Sequence, residues 1–172
     1  MLSKRFSRRI AAPFGVPFFL RFLMIGWFCA SLSVSAAEDV STQLLAGSDF
    51  KSAHDAVIET IEAEGLVVSA VIPFNGMLAR TAKDLSHETS PFAEAEIVQF
   101  CSSVLAWQMI TEDASQLSLC PLSIAIYAKV VEPGKIMLAY RSPGRASPAR
   151  AKGDDLLRRV VARAAELARL RW

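Results

Sequence analysis

The sequence is short of the residues that usually announce a reaction. It has two histidines in 172 residues, His54 and His87. Neither has a second His, Cys or carboxylate at a metal-ligand spacing such as i, i+4 on a helix. Both read as exposed or locally hydrogen-bonded imidazoles. No Gly-x-Gly-x-x-Gly follows a strand-like segment, and there is no P-loop and no Gly-x-Ser-x-Gly elbow. The dinucleotide-binding, nucleotide-hydrolysing and serine-hydrolase classes therefore have no residue to stand on. Cys-x-x-Cys is also absent, which removes a thioredoxin-type site and a zinc knuckle. The paired carboxylates Glu94/Glu96 and Glu112/Asp113 read as solvated faces and helix ends. No internal repeat or low-complexity stretch occurs, and no apolar run reaches the ~20 residues of a comfortable membrane span.

What the chain does have begins with a basic, then apolar, N-terminus. Lys4, Arg5, Arg8, Arg9 and Arg21 precede an apolar run over residues 22–32, followed by Ser33-Val34-Ser35-Ala36-Ala37. Those are the parts of a secretory signal peptide, with cleavage after Ala36 or Ala37. Retention as an uncleaved anchor is the main competing reading, and contact with a membrane is expected only in that case. Ser7-Arg8-Arg9 lacks most of the apolar residues that follow a twin-arginine pair. Trp27 and Phe28 are too bulky before Cys29 for a lipoprotein site. The expectation is export by the general route, to the periplasm or beyond.

Residues 1–37 are thus set apart from a domain core over 38–145 and a connector with a C-terminal helix over 146–172. The exported part carries 14 Lys+Arg against 17 Asp+Glu, so the formal +2 of the whole chain says nothing about partners. Its charges are segregated, acidic before residue 133 and basic after it. A basic end can attract nucleic acid. In an exported chain the basic helix is expected to pack beside the acidic body instead, and no nucleic-acid partner is expected.

Periodicity supplies the elements. Residues 40–45 form a weakly patterned strand. Asp49 caps a helix whose apolar face is Phe50, Ala53, Val57, Ile58 and Ile61, ending at Gly65. Residues 66–72 are a β-branched strand. Asn75-Gly76 reads as a turn, residues 77–85 as a short helix and 86–91 as loop. Residues 96–101 alternate as a strand, and Val104, Leu105, Gln108 and Met109 fall at helical spacing. Residues 124–127 are a second, more buried strand. Glu132-Pro133-Gly134 turns into a strand over 135–140, with Val130-Val131 expected near Ile136 in a hairpin. Residues 142–153 read as an exposed connector. Asp154 is expected to cap a final amphipathic helix through Leu157, Val160, Val161, Ala164, Leu167 and Ala168.

Cys101 and Cys120 are the two cysteines outside the N-terminal segment. Cys101 ends one strand and Cys120 opens the next. Parallel strands would hold them about 17 Å apart, beyond the 4.4–6.8 Å Cα separation of a disulfide. Antiparallel strands would put both at one sheet end, where a bridge, a thiol pair or a soft-metal site becomes available. An even cysteine count in an oxidising compartment is compatible with one disulfide, and closing this loop would contribute roughly 3 kcal/mol. Two small buried hydrophobes are the plainer alternative. Met77, Met109 and Met137 are thioethers that could join a thiolate on Cu(I), although their spacing fits core packing as well. Tyr140-Arg141, where the last strand meets the connector, offers a guanidinium able to clamp an anion.

The order Phe100-Cys101-Ser102-Ser103, Met109, Cys120-Pro121, Ile124-Ala125-Ile126-Tyr127 and Tyr140-Arg141 resembles the domain of unknown function 302 family, in its exported two-cysteine branch. Phe74-Asn75-Gly76-Met77-Leu78 and the helix–Gly65–strand unit resemble it too. Many members carry Leu-Pro-Cys where this chain has Cys120-Pro121-Leu122, so a site built on the commoner position does not carry over. The middle helix ends in Glu112-Asp113-Ala114-Ser115, where Asp-Pro is frequent in the family. The resemblance implies an α+β fold: an antiparallel sheet of about four to five strands, a helix after the first strand, a middle helix and a long C-terminal helix, often as a homodimer. It also implies that Cys101 and Cys120 are neighbours. It brings no established activity.

The residues and the resemblance together lead to an exported, non-catalytic domain that binds a small molecule or protein partner. The candidate site is Cys101, Cys120, Tyr140 and Arg141, with the cysteines bridged or closely apposed, and no cofactor is expected. The alternative is a thiol-dependent sulfur-handling or redox protein, with one cysteine as nucleophile and Arg141 holding an anionic sulfur species. A weaker alternative is Cu(I) or haem binding through Cys101 or Cys120 with Met109.

Overall fold

The computed structural model describes residues 40–171. The basic–apolar N-terminus, its export reading and Cys29 lie outside the described residues. Among those described, no helix is long and apolar enough to cross a membrane.

Among the described residues, five strands and four α-helices make an α+β fold. Strands β1 (Val40–Ala46), β2 (Val67–Ile72), β3 (Phe92–Cys101), β4 (Leu122–Lys129) and β5 (Lys135–Arg141) form one sheet in the order β1-β5-β4-β3-β2. Every pairing is antiparallel, as the family resemblance implied. Helix α1 (Phe50–Ala63) follows β1, α2 (Phe74–Thr81) follows β2, α3 (Ser103–Glu112) bridges β3 and β4, and α4 (Pro148–Leu170) closes the chain.

Local chemistry explains most of the boundaries. Asp49 caps α1 by accepting the Ser52 N–H at 2.7 Å, and Gly65 ends that helix at φ +73°, a conformation that costs glycine little. Ser102 caps α3 through the Leu105 N–H. The long helix starts earlier than its apolar periodicity implied. Ser147 accepts the Arg150 N–H and Pro148 takes the first helical position, where its missing N–H has no helical partner to lose. Residues 148–153 are therefore helix, not connector, and Asp154 sits inside α4 rather than capping it. Asn75-Gly76 likewise lies within α2, with a 3₁₀ turn at Lys83–Leu85 after it. Ile136 pairs with Ala128, while Val130 and Val131 stay exposed in the β4–β5 loop.

The period of two divides the sheet into two unlike faces. Val98, Phe100, Leu122, Ile124, Ile126, Leu138 and Tyr140 point to one side and are buried. There α1 presents Ala53, Ala56, Val57 and Ile61, and α4 presents Leu157, Val160, Val161, Ala164 and Ala168. Each fully buried Leu, Ile or Phe contributes about 1.5–3 kcal/mol of transfer free energy. Gly153 lets α4 approach α3 closely: a Cβ there would lie 2.8 Å from Met109 Cε and 3.2 Å from Pro143 Cγ. The other face carries no helix of this core and holds small and apolar residues.

Candidate functional site

The antiparallel order brings three chain breaks to one end of the sheet: the end of β3 at Cys101, the entry to β4 at Cys120-Pro121 and the end of β5 at Arg141. Gln99 pairs with Ser123, Ile124 with Tyr140 and Val40 with Arg141. That register places Gln99, Ser123 and Arg141 in one row across the face away from the helices. Arg141 is exposed and has no carboxylate partner among the described residues.

Two hollows meet at this arginine. One, of about 190 Å³, is lined by Ser118, Leu119, Pro121, Ser123, Arg141 and Ser142. The other, of about 170 Å³, continues over Ile97, Ala125 and Ala139. Beneath Ser142 lies the buried Asp154, 1% exposed. Asp154 accepts from the Ser142 hydroxyl at 2.6 Å and from Arg145 and Arg158 at 2.9 Å each. Its negative charge is thus matched within its own cluster, leaving Arg141 to define the potential of the hollow. The Ser142 hydroxyl donates to Asp154 and that of Ser118 to the Ser115 carbonyl. The donors left for a ligand are the Arg141 guanidinium and the Ser123 hydroxyl, a pair that suits an oxyanion or carboxylate of a few heavy atoms.

The four expected site residues divide. Arg141 opens on the hollows, whereas Tyr140 points into the core on the opposite face, 7% exposed. Cys101 stands exposed at the tip of β3, paired with Val67. Cys120 lies one residue out of register with it, since Phe100 pairs with Leu122, and packs partly against the core. The expected bridge between them is not formed: both cysteines are free, Cys101 exposed and Cys120 partly buried. Burial, helped by the nearby Cys101, pushes the Cys120 thiol up from its ordinary value. A thiol shifted that way is less nucleophilic at neutral pH.

Of the soft-metal candidates, Met109 is fully buried beneath α4 near Gly153. Met77 is exposed on α2, and Met137 lies on the helix-free sheet face beside Tyr127. Among the described residues, His, Cys, Asp and Glu side chains do not gather in threes as a metal ion requires.

Sequence spacing did not bring several groups together. Ser123 and Gln99 reach Arg141 only through strand register. His54 of α1 meets Glu96 of β3 at 2.5 Å, 42 residues away, so Glu96 belongs to a partly covered pair and not to a solvated face. The alternation of β3 held a signal for this, because Glu96 shares parity with Val98 and Phe100. Larger hollows lie elsewhere. A cavity of about 710 Å³ at the far sheet end is walled by Leu78, Ala82, Leu85, Phe92, Val130 and Val131, with Lys129 already bound to Glu132. Another, between α3 and α4, is lined by Glu64 and Arg159, which pair with each other. Among the described residues their cations are already engaged: Lys129 binds Glu132, Arg159 pairs with Glu64 and Lys152 donates to the Gln108 side chain.

A family model described as domain of unknown function DUF302 matches residues 41–169. Among solved structures the chain is similar to the crystal structure of an uncharacterized conserved protein DUF302 from Bacillus stearothermophilus. The TM-score is 0.56 at 14% identity, over 77% of this chain and 99% of that one. At that identity the likeness speaks for the fold alone. No curated protein matches the chain.

Proposed function

The chain belongs to the DUF302 family, and from that premise we propose that it is a non-catalytic binding domain whose ligand is a small anion held by Arg141 at the two-cysteine end of the sheet. One observation carries this reading: Arg141, without a carboxylate partner among the described residues, lines a hollow with Ser118, Ser123 and Ser142 beside Cys120-Pro121. The absence of a nucleophile–base pair in the sequence and the raised Cys120 thiol favour binding over thiol chemistry. The basic and apolar pattern of residues 4–37 supports action after export.

Calorimetric titration with sulfate, thiosulfate, phosphate and small carboxylates tests the proposal. At least one should bind with a salt-dependent affinity. Arg141→Gln should abolish that binding, and Arg141→Lys should weaken it, because an ammonium cannot reproduce the fork of the guanidinium. Binding unchanged in Arg141→Gln would overturn the assignment.

A further inference from the structure

The row of Gln99, Ser123 and Arg141 is the polar end of a longer arrangement on the sheet face away from α1 and α4. One row further along the strands, Ala125 and Ala139 stand opposite each other on β4 and β5, both half-buried. Register sets Ile97 of β3 beside Ala125 and Thr42 of β1 beside Ala139. The row after that brings Tyr127 against Met137. Two methyl side chains are thus ringed by longer ones: Ile97 and Thr42 laterally, Tyr127 and Met137 at the far end, Ser123 and Arg141 at the near end. Here lies the hollow of about 170 Å³, which shares Ser123 and Arg141 with the polar hollow at Ser118 and Ser142. One guanidinium therefore stands at the junction of a hydroxyl-lined hollow and an apolar one.

We infer that the ligand of this end of the sheet is an anion with a short apolar tail, of the class of a straight-chain monocarboxylate of about six to eight carbons. Its head sits on Arg141 and Ser123, and its tail lies in the trough floored by Ala125 and Ala139. The inference rests on the anion-binding reading of Arg141 and narrows it. Charge is the first support. The trough holds no charged side chain besides Arg141 at its mouth, so a second charge or a polar body would be stripped of water against Ile97 and the alanines with nothing to bond it. Size is the second. At about 30 Å³ for each water-sized group, the hollow takes roughly five or six such groups, the bulk of a short alkyl chain. Length is the third. Same-face rows lie about 7 Å apart along a strand, so a tail that leaves the guanidinium row crosses the alanines and then meets Tyr127 and Met137.

Calorimetric titration of the full chain with acetate, butanoate, hexanoate, octanoate and decanoate reads the tail apart from the head. A fully buried methylene is worth about fourfold in affinity, and a trough open on one side about twofold, so hexanoate should bind about 15-fold more tightly than acetate. The gain should stop by decanoate, where the trough ends. Arg141→Gln should abolish hexanoate binding, and hexylammonium, the same tail with the opposite charge, should not bind. Ala125→Leu fills the floor and should bring the affinity for hexanoate down to that for acetate. If that variant does not fold, Ala139→Leu decides by the same comparison. Acetate and sulfate held through Arg141 with no gain on lengthening would overturn the trough and leave the anion reading standing. No anion held through Arg141 would overturn both. Hexanoate bound equally by Arg141→Gln, matched by hexylammonium, or still favoured in both alanine variants also overturns the inference.

Discussion

Removing the carboxylate of Asp154 should cost more stability than any other single polar change near the site. Asp154 is 1% exposed inside α4. One oxygen accepts from the Ser142 hydroxyl at 2.6 Å, and the other from Arg145 and Arg158 at 2.9 Å each. Ser142 in turn accepts the Gly144 N–H at 2.9 Å, so the carboxylate ties the β5–α4 loop to the helix. Hydrogen bonds to a charged group are worth ~1.5–3 kcal/mol each, but they do not add. The two arginine side chains are 55% and 62% exposed, so they recover hydration once released. The loss expected for Asp154→Ala is therefore about 2–3 kcal/mol, below the ~3–5 kcal/mol of a fully buried broken pair. Urea denaturation measures it directly, and hydrogen exchange at Gly144 should quicken at the same time. The effect has a pH signature. Burial alone raises the Asp154 carboxyl, but the bonds from Ser142, Arg145 and Arg158 outweigh it and hold the group below its ordinary value. A depressed folded-state pKa stabilises fully above the unfolded value of about 3.9 and loses that contribution as the pH falls through the folded value. The gap between the unmutated protein and Asp154→Asn should thus be constant near neutrality and close in acid. A gap under about 0.5 kcal/mol, the scale of an ordinary surface change, or one that stays the same in acid, would refute the argument.

Two further outcomes follow from the packing. Gly153→Ala gains up to about 1 kcal/mol of helix propensity but drives a Cβ to 2.8 Å from Met109 Cε and 3.2 Å from the rigid Pro143 ring. Gly153→Val should lower the melting temperature clearly, by the ~1–3 kcal/mol of an overpacked core, and a neutral Val variant would contradict the close α3–α4 approach. Maleimide should modify the exposed Cys101 before the half-buried Cys120, whose burial both shields the thiol and pushes it up from its ordinary value. Peptide mapping over time reads the order, and equal rates would contradict the different placement of the two thiols.

The strands and helices that come from one local cause were legible in the sequence. Asp49 and Gly65 bracket α1 because a carboxylate satisfies a free N–H and glycine tolerates a positive φ. Misreadings arose where local signals competed. Ser147-Pro148 is a good helix start, yet Gly153 after it reads as a breaker, and only the close approach of α3 explains a glycine there. Asn75-Gly76 has turn chemistry but sits in a short helix, with the Asn75 amide donating to the Ala93 carbonyl. Glu96 has the composition of a wet face and the parity of the core one, and His54 settles which applies.

By itself the sequence determined the alternation of strands, the amphipathic helices and the position of both cysteines at strand ends, because hydrophobic period and capping act over a few residues. Only the tertiary structure decided which groups share a site. The pairing register sets Ser123 and Gln99 beside Arg141, parity turns Tyr140 away from it, and the β3–β4 offset leaves Cys101 in solvent while Cys120 leans on the core. Register comes from long-range strand pairing and from burying one face against α1 and α4, and a shift of one residue would exchange the two faces.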